Sequence, residues 1–165
     1  MTDIVLSIHP KYAEAIIDGR KTIEIRKTTP SHLKIHDKIY LYATAPVKTV
    51  IGYCEYYRET GVAGAPLTWH LKESCLTEQE FTAYSKYGSV RVWELCNPVK
   101  YRFPKPLSSF GIKTPPQSFV YVEKCAFCDG IRPSSKMSDK TMTGVKMRVC
   151  DACCREISYK KEAPT

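Results

Sequence analysis

Four cysteines carry the clearest chemistry in the chain. Cys125-Ala-Phe-Cys128 and Cys150-Asp-Ala-Cys153 form two C-x-x-C pairs separated by 21 residues. Four thiolates at this spacing suit a tetrahedral Zn²⁺ ion, and a site whose four positions are all filled by protein is structural, not catalytic. Two redox pairs are the competing reading, but such pairs rarely crowd one short polar segment. Cys154 stands beside the second pair, and the two-residue spacing favours Cys153 as the ligand. The stretch between the pairs is too polar to build a core, so the ion has to supply its folding free energy. Cys54, Cys75 and Cys96 are scattered singly in apolar surroundings and read as buried thiols.

A second cluster lies near the other end. Lys21, Thr22, Glu24 and Arg26 place four hydrogen-bonding side chains in a short run whose other residues, Ile23 and Ile25, are apolar. On a strand, Ile23 and Ile25 point one way and Thr22, Glu24 and Arg26 the other. A solvated outer face is one explanation. The other is a polar cleft, in which Glu24 and Arg26 position each other and leave donors free for a ligand. In the second case, replacing Lys21 by alanine should weaken binding and spare the fold, because Ile23 and Ile25 still pack. His9, His32, His36 and His70 offer alternative bases, but none has the spacing of a known catalytic pair.

Bulk properties bound what these clusters can serve. With 165 residues and 18.8 kDa, the chain fits one ordinary domain and a small appendage. Its 43 % hydrophobic and 25 % charged content excludes disordered and fibrous classes. Lys+Arg 25 against Asp+Glu 17 gives +8, with a pI near 9.0. That surplus favours a polyanionic partner, through counterion release, unless it serves solubility alone. Apolar runs such as Ile4 to Leu6 are far too short to cross a bilayer, and Met-Thr-Asp opens no basic leader. A cytoplasmic protein is expected, with no membrane partner, and there paired cysteines hold metal more often than disulfides.

The elements that must position these residues follow from pattern. Asp3 to His9 alternates as a strand, and Pro10 opens a helix that stops at Gly19. Lys21 to Lys27 is a second strand. Lys38 to Thr44 and Thr49 to Tyr57 are β-rich runs expected to pair antiparallel, followed by a loop over Gly61 to Pro66. Thr68 to Ser74 suggests a short helix, and Thr77-Glu78-Gln79-Glu80 has capping-box spacing for another, ending at Gly88. Val90 to Leu95, Tyr101 to Phe103 and Phe119 to Val122 read as further strands. Strands dominate and helices do not alternate regularly with them, so a small mixed β-barrel with inserted helices, class α+β, fits better than a parallel sheet. In the tail, Lys146 to Val149 suits a hairpin strand turned at Gly144, with a helix from Cys153 to about Lys160. That order is treble-clef-like.

Ile8-His9-Pro10-Lys11-Tyr12-Ala13-Glu14-Ala15-Ile16, then Gly19-Arg20-Lys21-Thr22-Ile23-Glu24-Ile25-Arg26-Lys27, resembles the start of an ASCH domain, a family of the PUA-like β-barrel superfamily. Ile39 to Thr44, Val50-Ile51-Gly52 and Pro115-Pro116-Gln117-Ser118-Phe119 continue the likeness, from about residue 4 to 122. The resemblance implies a PUA-like barrel over residues 1–124, with a cysteine module over 125–165. It also implies a cleft lined by the strand after the first helix, with Lys21, Glu24 and Arg26 carried over and Tyr42, Thr44, Gln117 and Ser118 around the opening.

ASCH and PUA-like domains are associated with RNA, and some relatives recognise modified bases. The function expected is therefore a nucleic-acid-binding module for RNA or a modified nucleotide. One branch of the family hydrolyses N4-acetylcytidine with a strand threonine as nucleophile. Glu24 stands at that position here, and a carboxylate is a poor substitute for an activated hydroxyl in amide hydrolysis. An amidohydrolase or ribonuclease with Lys21 and Glu24 as catalytic groups is the alternative, and a protein-interaction module the third. Aromatic residues interleaved with Lys and Arg would suit base stacking, although strand alternation buries about half of them. Trp69, which follows a loop, is the tryptophan expected to reach the cleft edge. The tail's basic residues, from Arg132 and Lys136 to Lys160 and Lys161, either extend a phosphate-contacting surface or simply solvate the tail.

Overall fold

Alternation over Asp3–Ile8 builds β1, and nearly every residue of it is buried because it lies inside the sheet. It runs parallel to β3 (Lys38–Ala43) on one side and antiparallel to β6 (Phe119–Lys124) on the other. A parallel neighbour requires a crossover. The crossover contains α1 (Pro10–Ile17) and β2 (Ile23–Arg26). The computed structural model describes residues 2–63, 68–86, 88–142 and 144–155. Its main sheet also contains β4 (Thr49–Ala63), β5 (Val90–Lys105) and β7 (Ile131–Pro133), in the order β2-β5-β4-β3-β1-β6-β7. Two short helices, α2 (Thr68–Ser74) and α3 (Glu78–Ser85), are inserted between β4 and β5. This is the mixed α+β arrangement that the strand-rich pattern implies. Among the described residues no helix is long and apolar enough to cross a membrane.

Both faces of β1 and β3 are covered, which explains their apolar content. Ile4, Leu6, Ile39 and Leu41 pack with Ala13 and Ile16 of α1 on one face. Val5, Tyr40 and Tyr42 pack with Leu107 and Phe110, from a 3₁₀ turn, on the other. Trp93 of β5 is wholly buried, and its indole N–H donates to Thr29 Oγ1 at 2.9 Å. The capping box at Thr77 forms, with Thr77 Oγ1 accepting from the Glu80 N–H and the Glu80 carboxylate from the Thr77 N–H.

The β4–β5 ribbon departs from the pattern reading. Thr49 to Tyr57 continues as strand to Ala63, so the expected loop from Gly61 begins no earlier than residue 64, and 64–67 lie outside the described residues. Val90 to Leu95 and Tyr101 to Phe103 join into the single strand β5 across Pro98. Proline is tolerated there because β2 pairs β5 only over Arg91–Glu94, which leaves the outer edge of the later residues free of ladder bonds. Register shifts along the ribbon absorb the irregular residues, with Asn97 at a φ of 47°.

Gly52 holds this ribbon against α1. A Cβ at this position would lie 2.2 Å from Val99 O and 2.7 Å from Ile17 Cδ1. Gly52→Ala is therefore expected to destabilise the fold by about 1–3 kcal/mol through overpacking. A urea titration with an unchanged slope checks it, and wild-type stability would show that the contact relaxes freely.

The cysteine-rich tail is joined to the barrel. β7, between the two cysteine pairs, extends the main sheet by pairing with β6. β8 (Met137–Met142) and β9 (Val145–Cys150) form a separate hairpin turned at Gly144, with φ +80°. Helical backbone follows over 151–155, and residues 156–165 lie outside the described residues.

Candidate functional site

The sheet curls until the end of β2 approaches β1, where Arg26 Nη2 donates to Ser7 O at 2.8 Å. A cleft of about 330 Å³ opens there, with Lys21, Glu24 and Arg26 at its base. Tyr12 of α1 and Glu80 and Tyr84 of α3 wall it, with Ser7 and His9 at the β1–α1 junction.

Lys21 is placed by the helix stop. The chain reverses at Gly19 (φ +73°), and the Lys21 N–H donates to Ala15 O at 2.9 Å. Its side chain runs inward, so the residue is only 3 % exposed. Nζ donates to Ser74 O at 2.8 Å and lies 3.0 Å from Glu24 Oε2, with the Tyr12 ring centroid 5.2 Å away. Strand parity then sets Glu24 and Arg26 on the cleft side, while Ile23 and Ile25 pack with Phe81, Val90 and Val92. Arg26 Nε donates to Glu24 Oε1 at 2.7 Å.

Glu24 is thus clamped between two cations while only 6 % exposed. Burial alone would raise its pKa. The Lys21 ammonium and the Arg26 guanidinium outweigh that and hold the carboxyl below its ordinary value of 4.5. Glu80 accepts from Lys11 Nζ at 2.7 Å and from the Tyr12 hydroxyl at 2.9 Å. The Lys11 ammonium, then the Thr77 N–H and the Tyr12 hydroxyl, hold its carboxyl down to about 2. These exposed bonds contribute little to stability. They join α3 to α1 across the cleft.

Lys21, Glu24 and Arg26 come together; the remaining residues of the sequence reading are distributed differently. Thr22 is exposed and lies beside a separate depression with Tyr57, Glu73 and Glu94. The strand begins only at Ile23, so parity does not extend back to Thr22, whose N–H donates to Glu73 O. Tyr42 points into the opposite layer, beside Tyr40 and Val50. Thr44 donates its N–H to Ile8 O, and the described cleft lining does not include it. Gln117 is exposed. Ser118 O accepts from the Ser7 N–H at 2.8 Å, and Pro116 O from Ser7 Oγ at 2.7 Å. The Pro-Pro-Gln-Ser segment therefore holds Ser7, whose carbonyl in turn holds Arg26. The side chain of Trp69 lies outside the described residues. Tyr12, Glu80 and Tyr84 were not singled out from sequence as cleft residues. Tyr12 stood in a helix pattern and Glu80 in a capping box, and neither pattern says which cleft the helix borders.

The second constellation is the cysteine cluster. Sγ atoms of Cys125, Cys128, Cys150 and Cys153 lie within 4.8 Å of one another, and those of Cys128 and Cys150 are 3.9 Å apart. Four sulfurs at about 2.3 Å from a common ion would be separated by about 3.8 Å, so the spacing fits a metal and is far beyond a disulfide. The N–H groups of Phe127 and Cys150 each approach Cys125 Sγ at 3.4 Å. Burial opposes ionisation of Cys125, but these backbone donors prevail and its thiol is pushed down to about 6. Burial and hydrogen bonds to the neighbouring thiols push the Cys153 thiol up instead, and it is the sulfur geometry that fits a metal. Cys154 packs beside the cluster without belonging to the set of four.

Comparison with known proteins gives a consistent picture. The ASCH domain profile matches residues 6–105. An ASCH domain-containing ribonuclease of Zymomonas mobilis is 40 % identical over 93 residues, which cover 51 % of this chain and 61 % of that protein. A stretch of 124 residues, 73 % of the chain, is 29 % identical to a large ribosomal subunit protein uL22 of Ureaplasma parvum, of which it covers 39 %. The chain thus spans less than two thirds of either relative. The crystal structure of ASCH from Zymomonas mobilis superposes with a TM-score of 0.64 at 28 % identity, covering 74 % of this chain and 88 % of that one. A serine-to-alanine variant of the same protein gives 0.66, covering 74 % and 89 %.

Proposed function

Because the chain belongs to the ASCH domain family, we propose that it is an RNA-binding protein whose cleft over Lys21, Glu24 and Arg26 takes a nucleotide of the strand. The buried Lys21–Glu24–Arg26 relay carries this reading. Burying Lys21 and Glu24 beside the half-buried Arg26 costs more than apolar packing of the same volume, so their presence at the base of a cleft points to a ligand. Lys21 has three N–H donors and Arg26 five, and the protein uses two of each, which leaves one and three for phosphate or base. Glu24, held ionised, is available as an acceptor for an exocyclic amine. Tyr84, 39 % exposed, offers a ring at the rim.

Ribonuclease activity is the second reading, supported by the name of the 40 % identical relative. In it the cations at the base stabilise the scissile phosphate. Glu24 is a structural anion and not the base, since the Lys21 and Arg26 cations hold its carboxyl below its ordinary value and so make it a weak proton acceptor.

Titration of a fluorescent single-stranded RNA tests the binding reading. Affinity should fall with salt, and Glu24→Gln, which keeps shape and loses charge, should weaken binding by about tenfold. Unchanged affinity in Glu24→Gln and Tyr84→Ala would remove the cleft from the interface. Cleavage of an RNA that is absent with its 2′-deoxy counterpart, bound equally well, separates the second reading from the first.

Zn²⁺ held by Cys125, Cys128, Cys150 and Cys153 completes the proposal, as a structural ion. Residues 1–124 then form the RNA-binding barrel and 125–165 its zinc module.

A further inference from the structure

Charge along the β4–β5 ribbon is distributed unevenly. In its distal half Arg58 pairs with Glu94 at 3.0 Å and Arg91 with Glu59 at 2.8 Å. In its proximal half, Lys100, Arg102 and Lys105 are all exposed, and among the described residues none has an acidic partner. No acidic residue occurs between Glu94 and Glu123 in the sequence. Glu14 of α1 and Asp18, the residue that caps its end, border Lys100, and Asp18 is already matched by Arg20 at 3.1 Å. The tail contrasts with this half of the ribbon, since Arg148 and Lys146 are engaged by Glu123 and Asp139.

Aromatic rings accompany the unmatched cations. Phe103 is 74 % exposed, with the Arg102 guanidinium 5.3 Å from its ring centroid. Between the Lys100–Gly52 and Lys105–Val50 pairs, residues 101–104 of β5 face only Ile51 of β4, so the backbone bulges outward there. Tyr101 remains half-buried against Tyr53, with ring centroids 6.1 Å apart. Lys105 Nζ lies 4.7 Å from the Tyr101 ring and Lys38 Nζ 4.7 Å from the Tyr53 ring. An exposed ring alone is ordinary, but here Phe103 stands on a bulge among three exposed cations that form no ion pair among the described residues.

We infer that this bulged half of β5 is a second RNA contact, separate from the cleft, on which single-stranded RNA stacks a base on Phe103 while Lys100, Arg102 and Lys105 contact its phosphates. The inference rests on the RNA-binding reading and adds a single-strand track to it. Rings carry bases of any identity, and flanking cations follow the backbone, so the track prefers single strands without reading sequence. A duplex hides its base faces and gains only the phosphate contacts.

Binding of full-length protein to oligouridylates of about 4 and about 16 nucleotides tests this, because the short one fills a single site and the long one spans both. Phe103→Ala should weaken the long RNA about tenfold and leave the short one unchanged. Replacing Lys100, Arg102 and Lys105 together by glutamine should reduce the salt slope for the long RNA by about 2. Phe103 is exposed, so its removal spares the fold, which circular dichroism checks. Wild-type affinity of both variants for the long RNA would overturn the ribbon contact and leave the cleft reading intact. Loss in the ribbon variants with an unaffected Glu24→Gln would support the ribbon and remove the cleft. Absence of wild-type binding to either RNA would end both, and salt-insensitive capture of an apolar peptide by Phe103 would make the surface a protein site instead.

Discussion

Lys21→Ala, which strand packing by itself would tolerate, is expected to lower the unfolding free energy by about 3 kcal/mol at neutral pH because Lys21 is a buried partner of Glu24, a larger loss than any exposed lysine would give. The Glu24 carboxylate would lose the ammonium 3.0 Å away, and Ser74 O its 2.8 Å donor, where both Lys21 and Glu24 are buried at the base of the cleft. Arg26, at 2.7 Å from Glu24, remains and keeps the loss at the lower end of the range for a broken buried pair. The double variant Lys21→Met, Glu24→Gln removes the Lys21–Glu24 pair together and leaves Arg26 with a neutral amide and Ser7 O as acceptors, so it should regain part of the stability without regaining RNA affinity. That combination separates the structural role of the pair from its role in binding. Urea unfolding of wild type, Lys21→Met, Glu24→Gln and the double variant measures it, and a Lys21→Ala protein as stable as wild type would contradict the buried geometry.

The pH profile carries the same information. Glu24 has its pKa lowered by folding, so the ionised pair contributes stability above the unfolded value of 4.5 and loses it as the pH falls below that towards the folded value. Wild-type stability should therefore fall below about pH 4.5. Glu24→Gln should show a shallower fall over that window.

Removal of zinc is expected to have the second large effect. Purified protein should contain one Zn²⁺ per chain, and chelation or Cys150→Ser should unfold the β8–β9 hairpin while the barrel persists. An isolated two-stranded hairpin is at best marginally stable in water, whereas a four-thiolate zinc site supplies about 10–16 kcal/mol of apparent binding free energy. The local apolar cluster is small: Met137 and Val149 pack with the cysteines themselves and little else. Ties to the barrel include the Arg148–Glu123 pair at 2.7 Å, the short β6–β7 ladder, Arg132 Nη1 donating to Ser109 O at 3.2 Å, and Ile131 packed on the second core layer. Metal analysis gives the stoichiometry. Hydrogen exchange then reads the outcome: amides of 137–142 and 145–150 should lose protection on chelation, and those of β1 and β3 should keep it. Equal protection of the hairpin with and without metal would refute the ion's folding role.

These two sites were legible in the sequence to different degrees. The four cysteines needed no fold to be identified, because thiolates at C-x-x-C spacing carry their chemistry with them. β1, α1, β3, the Thr77 capping box and the Gly144 turn were equally local, since each follows from periodicity, a cap or a positive φ. Lys21, Glu24 and Arg26 were visible as an unusual polar run, and the mixed barrel as an order of strands.

Tertiary structure decided the rest. Whether Lys21 is a solvated donor or a buried partner of Glu24 depends on Ser74, a residue 53 positions later that α2 brings over it. Tyr12 and Glu80 meet across 68 positions, and Ser7 is held by Pro116 across 109, so no local pattern could place them in one cleft. Tyr42 shows the converse: its strand was correctly identified, but only the covering 3₁₀ turn determines that its face belongs to the second core layer. Likewise the continuity of β5 across Pro98 depends on where β2 stops pairing. Ligand chemistry, caps and alternation act between neighbours and are written in the sequence. Burial, and with it the charge state and accessibility of each group, is a property of what long-range packing brings alongside.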